Sequence, residues 1–287
     1  MDARQRIWNK TYIHQMRRFL YIAFILFLTS CSDHLADKPV VYTDEIVNGL
    51  SVRYDANMEP AHKELMFRIL NSMVFVEGDC FLMGENSERA ADGPAHYVRV
   101  SDYYISNMEL SYKDLRVLSV YGYLSWYEWQ SFIEILKEMT GLDFDLPTEA
   151  QWEFAAKGGK YSKGYTYAGS DNIDEVRCDT YPCESDCVAN ELGLMNMSGG
   201  LSEWCKDFYK PYEPFYSVDP CVRGGQYAVV RGGSYESYKE NSKFNTDPSD
   251  FYCDDDYRMC KTTSRMYKAP DEIGITIGCR LVINIRP

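Results

Sequence analysis

DLPTEAQWEFAAKGG, residues 145–159, reads as a complete helix with both of its ends specified. Thr148 stands at the N-cap, and Gln151 three residues later can return a hydrogen bond to it, the reciprocal pattern of a capping box. Gly158 and Gly159 supply the stop, because a residue without Cβ readily takes the left-handed conformation that ends a helix. Upstream, Ser125 and Glu128 repeat the box, and Trp126, Trp129, Phe132, Ile133 and Leu136 form one apolar stripe that ends before Gly141. Earlier still, Leu65, Met66 and Ile69 show helical spacing, residues 73–78 read as a strand entering a turn, and residues 96–105 read as a second strand. Beyond Gly159 the helical period is lost. Short strand patterns alternate there with loops rich in Gly, Pro, Asp and Asn, and segments of that kind are held by metal ions, disulfides or buried arginines.

The 287 residues, 45% hydrophobic and 15% aromatic, suffice for a substantial core. A formal charge of -13 argues against a nucleic-acid backbone as partner, since that surface selects Lys and Arg. Arg17 and Arg18 precede an apolar run from Phe19 to Leu28 and then Thr29-Ser30-Cys31, the order of a secretion signal. The run is about half the roughly twenty residues a spanning helix needs. Its LTSC ending resembles the bacterial lipoprotein signal, which implies lipidation of Cys31 and a lipid-anchored place at the bacterial cell envelope, on the outer membrane. The expected division is a signal peptide over 1–31, a polar tether and short helix over 32–69, and a globular domain over 70–287. Of ten cysteines, nine remain once Cys31 carries lipid, so at least one is unpaired. The close spacing of Cys178, Cys183 and Cys187 suits a local disulfide, while the absence of a CxxC pair and of nearby histidine argues against zinc.

Six segments in order, VFVEGDCFLMGE, HYVRVSDYYISNMELS, LSWYEWQSF with DLPTEAQWEFAAKGG, ELGLMNMSGGLSEWCKDFY, VVRGGSY and IGCRLV, together resemble the formylglycine-generating enzyme, or sulfatase-modifying factor, family. The resemblance implies an α+β fold, a variant of the C-type lectin fold, loop-rich with two helices and short antiparallel strands. It further implies a structural calcium held by Asn196 and Glu203 side chains and by the carbonyls of Gly199 and Leu201. Hard oxygen donors of this type suit calcium on chemical grounds as well. The alternative for these residues is a turn cap at Asn196 and an arginine partner for Glu203. Trp152, Trp204 and Tyr235 are expected in the core, and Arg258, Arg265 and Arg280 are expected to tie loops together.

Family members place two copper-binding cysteines, with four residues between them, after the RGGSY segment; this chain has Ser237 and Ser242 there. A neutral hydroxyl is a hard, weak donor where Cu(I) requires thiolate, so Ser234, which matches an active-site serine of the family, has nothing to assist. A second register brings Cys253 and Cys260 near the same positions, with six residues between them instead of four. That leaves copper chemistry at Cys253 and Cys260 as the alternative. Too few histidines survive signal removal to build the iron site of related sulfoxide synthases. The expectation is a lipid-anchored, non-catalytic domain binding an envelope protein or glycan. Gliding- and secretion-associated lipoproteins of Bacteroidetes-like bacteria offer a precedent for such use of the fold. Tyrosines such as Tyr121, Tyr123 and Tyr161 raise glycan or peptide binding as a further alternative.

Overall fold

The structure, a computed structural model, describes residues 40–86, 90–178, 188–237 and 257–285. Cys31, Ser242 and Cys253 lie outside the described residues. One compact unit extends from Tyr42 to Pro287. It opens with a hairpin, β1 (Tyr42–Val47) and β2 (Leu50–Asp55), turned by Asn48 and Gly49, both at positive φ. An Asn-Gly pair suits such a two-residue turn because both central residues must enter the left-handed region. Helix α1 (Pro60–Ser72) follows, with proline at its start where a missing N–H costs nothing. The hairpin and most of α1 fall in the 32–69 stretch read as tether and short helix, and Val52, Tyr54, Leu65 and Met66 of that stretch are buried in the main core.

Three further sheets carry the rest of the strands. In one, β3 (Met73–Val76), β6 (Tyr103–Ser106), β13 (Val282–Asn284) and β7 (Phe144–Asp145) lie side by side, which binds the two ends of the unit together. In the second, β8 (Ser202–Phe208) sits between β10 (Ala228–Arg231) and β12 (Ile277–Gly278), with β11 (Met266–Lys268) beyond β10. The third joins β4 (Cys80–Met83), β5 (His96–Arg99) and β9 (Ser217–Val218).

The helices at α3 (Trp126–Thr140) and α4 (Glu149–Ala156) carry the capping boxes expected at Ser125/Glu128 and Thr148/Gln151. The expected two-helix, C-type-lectin-like arrangement is nevertheless incorrect. Among the described residues there are five α-helices, including α1, α2 (Tyr112–Val117) and α5 (Ile173–Val176), with open and curled sheets in an α+β fold. Nor are the strands all antiparallel: β12 runs parallel to β8, and β9 parallel to β5. The physical reason is length. Helices of six and four residues show no period; α2 is secured by a Ser111/Asp114 capping box and α5 by the Asn172 side chain.

Helix α4 is buried at all eight positions, including Glu149 and Glu153. A buried carboxylate needs a partner, and two buried arginines provide it. Arg231 pairs with Glu153 and stacks on Trp152, with its guanidinium carbon 5.0 Å from the ring. Its two terminal nitrogens also reach the carbonyls of Thr262, Thr263 and Ser264. Arg265 grips Glu149 through two bonds of 2.6 and 2.8 Å and lies over the Tyr212 ring at 3.6 Å. The arginines thus tie the 262–265 loop to the helix by planar, multi-donor contacts. Arg280 is likewise fully buried, whereas Arg258 is exposed.

Candidate functional site

The loop before β8 turns through three left-handed residues, Asn196 (φ 61), Gly199 (φ 130) and Gly200 (φ 69). The path brings Asn196, Leu201 and Glu203 around the buried carboxylate of Glu109, a residue the sequence reading did not select. Glu109 Oε1 accepts the Leu201 N–H at 3.0 Å, and Oε2 accepts from Asn196 Nδ2 at 2.9 Å. A Cβ on Gly200 would lie 2.4 Å from Glu109 Oε1, so glycine is needed there twice over, for clearance and for φ. The other face of the amide, Asn196 Oδ1, is buried without a hydrogen-bond partner.

Glu203 has a different set of neighbours. Its Oε1 accepts from Arg280 Nη2 at 2.7 Å, and its Oε2 accepts from Arg280 Nε at 2.8 Å and Trp152 Nε1 at 2.6 Å. Arg280 continues to the carbonyls of Ser106 and Met195, both at 2.9 Å. Burial opposes charge on this guanidinium, but Glu203 outweighs it and raises the pKa of Arg280 above its ordinary value. Glu109 is pushed up to about 7 by burial and by the nearby charge of Glu203, partly offset by Arg280.

The hard oxygens the structure shows here are the Glu109 carboxylate and the unpartnered Asn196 Oδ1. That set fits calcium and does not fit a soft metal. Among the described residues no group of three or more His, Cys, Asp or Glu is placed to hold a metal ion, so amide and main-chain oxygens would have to complete any such shell.

The RGGSY segment builds a closed turn. Ser234 N–H donates to Ser237 Oγ at 3.0 Å, Ser237 N–H donates to the Ser234 carbonyl at 2.9 Å, and Glu236 N–H donates to Ser234 Oγ at 3.3 Å. Both hydroxyls are buried. Cys260 is fully buried with Tyr167 and Val176, and its carbonyl accepts from Ser198 Oγ at 2.7 Å. A Cβ on Gly233 would come within 2.4 Å of its sulfur. Cys178 is disulfide-bonded, and Cys80, Cys205, Cys221 and Cys279 are free thiols. Burial pushes the thiols of Cys205 and Cys279 well up and that of Cys221 to about 12, so all three stay protonated at neutral pH.

Residues 117–285 match the family described as the Sulfatase-modifying factor enzyme 1-like domain. The formylglycine-generating enzyme of Streptomyces coelicolor is 30% identical over 157 residues, covering 47% of this chain and 45% of that protein. A serine/threonine-protein kinase, Pkn1, of Chlamydia trachomatis is 25% identical over 222 residues, covering 60% of this chain and 34% of the kinase. The chain therefore spans less than half the length of these curated relatives. Among solved structures, Treponema denticola variable protein 1 superposes with a TM-score of 0.57 at 17% identity, over 86% of this chain and 99% of that one. PvdO from Pseudomonas aeruginosa gives 0.56 at 15% identity, over 87% and 100%. At those identities the likeness is one of fold. The family match covers more than half of the sequence, and the chain belongs to the sulfatase-modifying factor family.

Proposed function

We propose that this chain is a non-catalytic member of its family, lipidated at Cys31 and acting as a binding or structural component of the bacterial cell envelope. The observation that carries the reading is the turn at Ser234–Ser237. Where family members are expected to present a copper-binding thiolate, this chain has a buried hydroxyl that accepts the Ser234 N–H and helps close the turn. A calcium ion at Asn196, Gly199, Leu201 and Glu203 would serve as a structural clip, supplying positive charge to a loop crowded with oxygens. No helix among the described residues is long and apolar enough to cross a membrane, which is compatible with a lipid anchor.

Purified full-length chain is expected to hold no thiolate-bound copper and to leave cysteine peptides unoxidised. Stoichiometric copper together with peptide oxidation would overturn the reading and favour the alternative site at Cys253 and Cys260. Replacing Cys253 with serine then separates the cases, since the copper content must fall if that residue is a ligand. Glycan or peptide binding is the remaining form of the proposal. Tyr121, Tyr123 and Tyr161 are exposed and available for stacking, whereas Tyr167 belongs to the core.

A further inference from the structure

We propose that the outward face of the sheet formed by β4, β5 and β9 is a dimer interface, and that a second copy of this chain occupies it. The strands alternate: Phe81, Met83 and Val98 turn inward and pack in or against the core, while Cys80, Leu82, Tyr97 and Arg99 turn outward. Register sets Leu82 opposite Tyr97, Cys80 opposite Arg99, and Arg99 opposite Val218. The Tyr216 hydroxyl lies 3.9 Å from Cys80 Sγ, which puts that ring on the same face. Exposure is high for large apolar side chains: Leu82 47%, Tyr97 63%, Tyr216 57% and Val218 54%, with Phe215 at 69% beside Tyr216 in the chain.

Composition and extent both fit association. Protein interfaces are enriched in aromatic residues and arginine and depleted in Lys, Asp and Glu, and in these three strands Arg99 alone carries a fixed charge. With roughly 150–250 Å² per aromatic side chain, the five exposed residues present about 600 Å² of apolar surface. That is at the upper end of what monomers leave open. Two such faces together bury roughly 1,200 Å², where specific interfaces begin. A second copy suits the face better than a membrane or a partner recognised by charge. One guanidinium and no carboxylate give a different protein no charge pattern to complement, whereas apolar side chains match their own kind across a two-fold axis and each Arg99 can stack on a tyrosine ring of the other copy. A chain of charge -13 is repelled by an anionic bilayer. Strand addition at the β4 edge is obstructed, because the Leu82 carbonyl already accepts from Lys157 Nζ at 2.7 Å. Dimerisation through this face is independent of whether the RGGSY turn supports catalysis.

Sedimentation equilibrium of the full chain, in detergent with micelles in large excess over protein, should show a reversible monomer–dimer equilibrium with a dissociation constant on the order of micromolar, as a face of this size supports. Tyr97→Glu and Val218→Lys, at exposed positions on two different strands, should each weaken it about thirtyfold or more, the loss typical of a central interface residue. Circular dichroism and melting temperature report that each variant has folded. Ile46→Glu, exposed on the β1 hairpin, should dimerise as wild type does. Added salt should tighten the dimer, because it screens the repulsion between two chains of like charge. In dilute wild type Cys80 reacts quickly with a thiol reagent, and its rate, read on the labelled peptide, should fall as dimer forms. Wild type that stays monomeric at every concentration would overturn the proposal. So would Tyr97→Glu and Val218→Lys variants that associate like wild type, a dimer that salt dissociates, or a Cys80 rate that does not follow dimer formation.

Discussion

Replacing Gly233 with alanine should destabilise the protein strongly, although the change adds one methyl group. Gly233 has φ 68, where an L-residue carries a strain of roughly 1–2 kcal/mol. The added Cβ would lie 2.4 Å from Cys260 Sγ and 3.2 Å from the Cys260 amide nitrogen, inside a filled core, and overpacking of that kind costs about 1–3 kcal/mol. Stiffening of the unfolded chain returns about 0.5 kcal/mol. The net expectation is about 2–4 kcal/mol, or roughly 5–15 °C in melting temperature for a unit of this size. A double-mutant cycle isolates the steric part. Cys260→Ala removes the sulfur at a cost of about 1 kcal/mol, and in that background Gly233→Ala should cost at least ~1 kcal/mol less than it does in wild type. Urea unfolding of the four proteins measures both quantities. A Gly233→Ala cost under about 1 kcal/mol, or strictly additive effects, would refute the packing of RGGSY against Cys260.

Arg231→Lys retains the charge facing Glu153 but cannot span the carbonyls of Thr262, Thr263 and Ser264. It should destabilise by about 3 kcal/mol and expose the 257–268 segment to limited proteolysis, and unchanged urea and protease profiles would contradict this. Asp207 is pushed up to about 7 by burial and by Glu149, so between about pH 4 and pH 7 the unfolded carboxyl has lost its proton while the folded one retains it. Stability should therefore fall as pH rises through that window, by up to about 4 kcal/mol, and level off above it. Asp207→Asn should flatten the slope by that amount whatever its constant cost; parallel slopes in urea titrations from pH 4.5 to 7.5 would argue against the shift. In the native protein a thiol reagent should modify Cys80 quickly and Cys205 and Cys279 only on unfolding, as judged by mass spectrometry of the labelled peptides.

What could be read without coordinates was whatever a few adjacent residues settle among themselves. Thr148 with Gln151 and Ser125 with Glu128 mark helix starts because the bonds that cap a helix join residues three apart. The Asn48-Gly49 turn carries a comparable signal within the 32–69 stretch. Family membership was legible for the same reason, since short motifs in order survive as letters. The helix count was not: α2 and α5 are too brief to display a period, and the parallel pairing of β12 with β8 joins segments about 75 residues apart.

The candidate site divides along the same line. Asn196, Gly199, Leu201 and Glu203 stand within eight residues and could be picked out as one oxygen-rich loop. Glu109 lies 87 residues before Asn196, and nothing in the surrounding NMELS marks it as facing that loop. Arg280, too, is separated from Glu203 by 77 residues. By itself the sequence determined the local pieces: capped helices, tight turns, a run of hard donors, and serines in place of thiols. The enclosed interior settles which carboxylate the guanidinium holds, Glu203, and which accepts from an amide and a main-chain N–H, Glu109. Charge compensation acts through space, across an interior that distant segments must first enclose.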